Sequence, residues 1–313
     1  VTVGATAGVS LWPSDSALPE ELLRKADVAL ARAKAESRGD VRFFQPVMDA
    51  DLRERSLLQN ELKQAIANNQ IVPYFQPVVD LATGDIRGFE VLARWHHPAR
   101  GTIPPLTFIS FAEDSGLIGD LTFSIIRAAL RTARNWSGEP TIAINISQTQ
   151  LTDPKLADKL LGVLAETGFP PHRFEVEVTE NALASDIRMA KFVLHRLKSQ
   201  GVCISLDDFG TGYSCLGHLA QLPVDKIKID SSFTRTMRER GQSATIVKLI
   251  IGLGRSLGLP VIAEGIETAA DAEALLQMGC ATAQGYYFSP PVPAGAASEL
   301  IGRRLGYDMT ASA

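Results

Sequence analysis

From Ile71 onward the chain alternates short, apolar, β-branched runs with longer stretches in which apolar residues recur every three or four positions. The apolar runs are IVPYFQPVV, IRGFEVLARW, TIAINIS, RFEVEVT, GVCISLDD, PVDKIKID, LPVIAEG and ATAQGYYF. Runs of this length without strict alternation read as strands covered on both faces, and the three-to-four spacing reads as amphipathic helix. LADKLLGVLAETG and AKFVLHRLKSQG are two such helices, the second closed by Gly201 at its C-cap. Eight strands with interleaved helices over roughly 240 residues predict an α/β fold, a (βα)8 barrel. The first two strands are joined only by DLATGD, which predicts a hairpin and therefore one antiparallel strand.

The pattern ahead of Ile71 differs. VTVGATAGVSLW reads as a strand, and EELLRKADVALARAK, after Pro19 and before Gly39, as a helix. That pair is too small to fold alone. A second helical stretch, residues 52–67, carries more charge and a narrower apolar stripe, and it reads as a connector into the barrel, with the boundary between Phe44 and Leu62. The chain begins with Val1 rather than Met, so a longer parent is expected.

Composition removes several function classes. At 313 residues and 45% hydrophobic content, a large core is available and disorder is excluded. A net charge of −4 offers no basic surplus for duplex nucleic acid or an anionic membrane. Cys203, Cys215 and Cys280 are odd in number and form no CxxC pair, which points to a reducing, cytoplasmic setting. The longest apolar window, IVKLIIGLGRSLGLPVIA, is broken by Lys248 and Arg255, so no membrane segment is expected, and no signal peptide is visible.

In a parallel barrel, side chains from many strands converge only at the C-terminal mouth. Polar residues fall late in the apolar runs: Glu90, Asn145, Glu177, Asp207 with Asp208, Lys228, Glu264 and Gln284. Each alone has a bland reading as a helix cap or surface residue. Together they would bring several carboxylates into a buried space, and mutual repulsion forbids that unless cations neutralise them. The donors are carboxylates and one amide without His or Cys, a set suited to two hard ions such as Mg²⁺ or Mn²⁺. Adjacent aspartates at a strand end point in different directions, so Asp207 could bridge two ions while Asp208 binds one. Such a pair, roughly 3.5–4 Å apart, clamps phosphate esters for in-line attack. Lys228 would hold a water or offset phosphate charge. GLGRSLG lacks dinucleotide-motif spacing and reads as a helix end. His96 and His97 read as solvated or packing residues, and Asn145 of NIS sits in a strand rather than at a glycosylation site.

With FEVLARW, NIS, EVTE, DDFGTGYS, KIKID, AEGIET and QGYYFSPP in order, residues 62–305 resemble the EAL domain, the bacterial phosphodiesterase of cyclic di-GMP. The resemblance implies a modified TIM-like barrel with one antiparallel strand and metal-dependent hydrolysis of cyclic di-GMP to pGpG. It implies that Glu90, Asn145, Glu177 and Asp207 hold one ion, and Asp207, Asp208 and Glu264 the second. Lys228 and Glu264 are similar to residues that orient or deprotonate the attacking water; which of the two takes the proton stays open. Arg94 resembles a phosphate contact, where a guanidinium fork suits two oxygens. Gln76, Leu92, Glu267 and Gln284 match positions near the bound dinucleotide, and Glu180 resembles a residue that stabilises the loop after the paired aspartates. The family also pairs commonly into homodimers. Two departures stand out: Val91 replaces the usual alanine, and Cys215 a common serine. Residues 1–45 are similar to the end of a GGDEF domain, without its signature or nucleotide-binding segments. The expected organisation is that remnant, a linker helix over 46–61, the EAL domain over 62–305 and a tail over 306–313, from a tandem GGDEF-EAL parent. The competing expectation is a catalytically silent cyclic di-GMP receptor or regulatory interaction domain. Against it, every acidic position and the lysine are filled.

Overall fold

The computed structural model describes residues 4–36, 39–211 and 222–306. Gly212, Tyr213, Cys215 and His218 lie outside the described residues. The chain divides into two compact units, Val1–Gln64 and Ala65–Ala313.

In the first unit, strand β1 (Ala7–Val9) runs parallel to β2 (Val41–Phe43), with the helix Pro19–Glu36 as the crossover. Of the strand expected over the first dozen residues, the first three lie outside the described residues, and among the described ones it covers Ala7–Val9, paired with three residues of β2. Val28, Ala29 and Phe44 form a small core with Met48 against it, and Lys25 lies over the Phe44 ring at 5.1 Å. The helix Pro46–Ala67 starts six residues before the expected Leu52, with Pro46 opening its first turn.

The second unit is a closed barrel. Strands β3 (Ile71–Asp80), β4 (Ile86–His97), β6 (Thr141–Asn145), β7 (Phe174–Thr179), β8 (Cys203–Phe209), β9 (Lys226–Ile229), β10 (Val261–Ala263) and β11 (Thr282–Gln284) form it. Strand β3 is antiparallel to both its neighbours, β4 and β11, and the remaining barrel pairings are parallel. The short DLATGD link enforces this, since a parallel return requires a crossover of a dozen residues or so. Two short strands escape sequence reading: β5 (Gly101–Ile103), which extends β4, and β12 (Val292–Pro293), which pairs with β3. Phe89 and Trp95, on the outward face of β4, are buried against Trp136 and against Phe108 of the helix Pro105–Asp114, respectively. GLGRSLG does end a helix, Gly241–Leu257, with Gly258 as its left-handed cap. The cap expected at Gly201 falls instead on Ser199, in right-handed conformation; Gly201, with φ +86°, turns the chain two residues later. Among the described residues no helix is long and apolar enough to cross a membrane.

Candidate functional site

Strand register explains why the polar residues meet. Adjacent in-register residues share a face, so Gln76 with Glu90, Glu90 with Ala143, and Asn145 with Glu177 all point into the barrel. The residues that cap the following helices are different ones. Ser147 accepts from the Gln150 amide, Thr179 from Ala182, Asp230 from Ser232 and Thr268 from Asp271. Strand-end residues thus divide into helix caps and inward-facing groups.

Asp207 and Asp208 depart from the alternation expected of neighbours. The β8–β9 register shifts between Leu206 and Phe209, and Asp208 has φ +54°, a strained conformation for a residue with a Cβ. The kink turns both carboxylates to one side: Asp207, Asp208 and Glu264 each place an oxygen within 4.8 Å of the others. The Asp208 amide also donates to Asp207 Oδ1 at 3.0 Å. The loop carrying Glu264 is held by an interlock with the next one, in which Ile266 donates to the Gln284 carbonyl at 3.1 Å and Tyr287 to Ile266 at 2.9 Å. Glycine is required there because a Cβ on Gly285 would lie 2.2 Å from the Ile266 backbone.

At the centre is Lys228, fully buried. Its Nζ lies 2.7 Å from Glu264, 2.8 Å from Glu177, 3.3 Å from Asp207 and 3.6 Å from Glu90. Burial pulls its pKa down, but Glu177, Glu264, Glu90 and Asp207 outweigh this and hold it well above the ordinary lysine value, so it is an ammonium here. The acids respond unequally. Burial pushes Glu90 upward, yet Lys228 and hydrogen bonds from Gln284 and Asn145 hold it below the ordinary carboxylate range. For Glu177 and Asp207 burial prevails over Lys228 and both are raised. Burial, then neighbouring charge, lifts Asp208 to about 6; burial and the other acids lift Glu264 to about 8. Four acids thus surround one lysine, with Asp208 beside them, and Glu177 Oε2 is buried without a hydrogen-bond partner. That excess of negative oxygen fits a bound hard cation.

The expected substrate contacts spread outward from this centre. Gln284 donates to Gln76 Oε1 at 3.3 Å as well as to Glu90. Leu92 and Arg94 continue the Glu90 face of β4, both half-buried. Glu267 is half exposed and pairs with Arg235 at 3.0 Å, away from the acidic cluster's direct contacts. Glu180 opens the helix Glu180–Ser185, while the loop it was expected to stabilise includes residues outside those described. Val91 occupies the β4 face opposite Glu90 and is buried.

The sequence reading missed one inward pair. Two residues below Glu177 and Lys228 on the same strands, Glu175 and Lys226 meet at 2.5 Å. They line a cavity of about 250 Å³ with Gly88, Thr141, Ala143 and Thr282. Lys226 and Lys228 on KIKID, and Glu175 and Glu177 on FEVEVT, show period-two spacing that could have revealed it.

The EAL domain profile matches residues 59–291. The chain belongs to the EAL domain family. It is 45% identical over 296 residues to an uncharacterised signalling protein of Caulobacter vibrioides, covering 95% of this chain and 37% of that one. It is 37% identical over 297 residues to the cyclic di-GMP phosphodiesterase PdeR of Escherichia coli, covering 94% of this chain and 45% of PdeR. This EAL chain therefore spans less than half the length of those curated relatives. The solved PaMucR phosphodiesterase in complex with c-di-GMP superposes with a TM-score of 0.75 at 37% identity, over 77% of this chain and 99% of that one.

Proposed function

We propose that this EAL domain hydrolyses one phosphodiester bond of cyclic di-GMP to give linear pGpG. The observation that carries the reading is the unbroken set of inward oxygens around Lys228, with more carboxylates than one ammonium balances. Glu90, Asn145, Glu177 and Asp207 would hold one divalent ion, and Asp207, Asp208 and Glu264 the other. Mg²⁺ or Mn²⁺ suits these donors and would supply phosphoryl polarisation and an activated water at neutral pH. The chain's own groups do the rest. Lys228 Nζ, 2.7 Å from Glu264 Oε1, is close enough to exchange a proton with it and to offset charge on the phosphate. Arg94 offers a guanidinium edge to the non-bridging oxygens. Gln76, Leu92, Glu267 and Gln284 would orient the nucleobases and sugars, and Glu180 would steady the loop beyond Asp208.

The wider setting belongs to the same reading: a cytoplasmic enzyme, paired with a second EAL copy, in a parent where residues 1–45 complete a GGDEF domain and residues 46–61 link it to the barrel. The deciding experiment incubates the purified chain with cyclic di-GMP and Mg²⁺ or Mn²⁺, with and without chelator, and resolves the products. Metal-dependent pGpG is expected. Tight binding without pGpG under either metal would overturn hydrolysis in favour of a receptor.

A further inference from the structure

We propose that Tyr74 is a positioning residue for Arg94, holding its guanidinium at the barrel mouth so that the unused N–H edge meets a phosphate. The proposal rests on the phosphate role assigned above to Arg94. Alternation on the hairpin places Glu90, Leu92, Arg94 and His96 on one face of β4, and register places Gln76 opposite Glu90 and Tyr74 opposite Leu92. Tyr74 is thus one step further out than Gln76, on the same inward face. Its ring lies 5.7 Å from the Arg94 Cζ, within range of a cation–π contact. It also meets the His96 ring, centroids 5.7 Å apart, and the His96 amide is tied to the Gln70 carbonyl at 3.0 Å.

Arg94 Nη1 also donates to the Ala93 carbonyl at 2.9 Å. The guanidinium therefore has one nitrogen on its own backbone and its Cζ over the Tyr74 ring, leaving further N–H donors to bind an anion. A free arginine side chain loses considerable rotamer freedom when it grips a phosphate, and an aromatic neighbour that has already restricted it lowers that cost. Both side chains are half-buried, which strengthens the contact relative to a fully solvated one.

The test compares wild type, Tyr74→Leu, Tyr74→Phe, Arg94→Ala and the Tyr74→Leu/Arg94→Ala double variant, with thermal melts to verify folding. Steady-state kinetics with cyclic di-GMP and Mn²⁺ supply KM and kcat; calorimetric binding of cyclic di-GMP in chelator supplies a Kd independent of turnover. Tyr74→Leu is expected to raise KM and Kd about three- to tenfold with kcat nearly unchanged, and Tyr74→Phe to behave as wild type. In the Arg94→Ala background, Tyr74→Leu should add nothing. An equal effect in that background would overturn the proposal by showing that Tyr74 acts without Arg94. So would a Phe variant as impaired as Leu, or an Arg94→Ala variant with unchanged KM and Kd. A wild type that binds without hydrolysing, with a Kd that depends on Tyr74 through Arg94, would support the positioning role and remove the hydrolase reading instead.

Discussion

Two inward layers of the barrel are built on the same strands with opposite outcomes. In the lower, Glu175 on β7 and Lys226 on β9 meet one to one at 2.5 Å, a balanced pair. In the upper, two residues on, Lys228 faces Glu90, Glu177, Asp207 and Glu264 together. Strand β8 lies between β7 and β9, with Ser205 in register with Glu177 on one side and Lys226 on the other. A balanced buried pair is a structural element, whereas an unbalanced buried cluster stores repulsion that a bound cation can relieve. Charge stoichiometry, more than the presence of acids, distinguishes the candidate site from its scaffold.

The comparison can be broken most severely at Asp207, the proposed bridge. Asp207→Asn should reduce pGpG formation at least about 100-fold while the fold persists, as read by product chromatography and a melt. Retained turnover would dissolve the distinction between the layers. Next in size is Lys228→Met, which leaves the upper acids without their ammonium. Chemical denaturation of the ion-free variant should show a loss of about 3–5 kcal/mol, partly restored by Mn²⁺. In the lower layer Glu175→Gln should cost only about 2 kcal/mol, since Lys226 is partly solvated. A Glu175→Leu/Lys226→Met protein should recover part of that loss, and hydrolysis should remain within about threefold of wild type in both.

A further test is a pH slope. Glu264 is raised from 4.5 to about 8 and Asp208 from 3.8 to about 6, so the native state binds these protons more tightly than the unfolded one. Stability of the ion-free protein should therefore fall as pH climbs from 3.8 to about 6 for Asp208 and from 4.5 to about 8 for Glu264, then level off. Melts across pH 4.5 to 8 should show that decline in chelator and a flatter curve with Mn²⁺, which displaces the protons. A curve that rises over this range in chelator would contradict the assigned repulsion.

Much of the barrel was legible because eight apolar runs must each be covered on two faces, and a short link allows only a hairpin. The strand-end polar residues were legible because they fall late in largely apolar runs, whereas Glu175 and Lys226, earlier in two of the same runs, were passed over. Three-residue strands such as β5 left no periodic trace. The Asp207–Asp208 pair was misread in direction, because alternation assumes a regular strand and the bulge with its left-handed Asp208 is a tertiary feature. Tyr74 carried no signal of its own; it matters only because register sets it beside Arg94.

By itself the sequence determined which residues have inward parity and how many charges they bring, since both follow from side-chain alternation and composition along each strand. Only closure of the barrel decided which of those charges face one another. It joined Glu175 to Lys226 and left Lys228 amid an excess of acids, because distances between strands remote in sequence exist only once the sheet has closed.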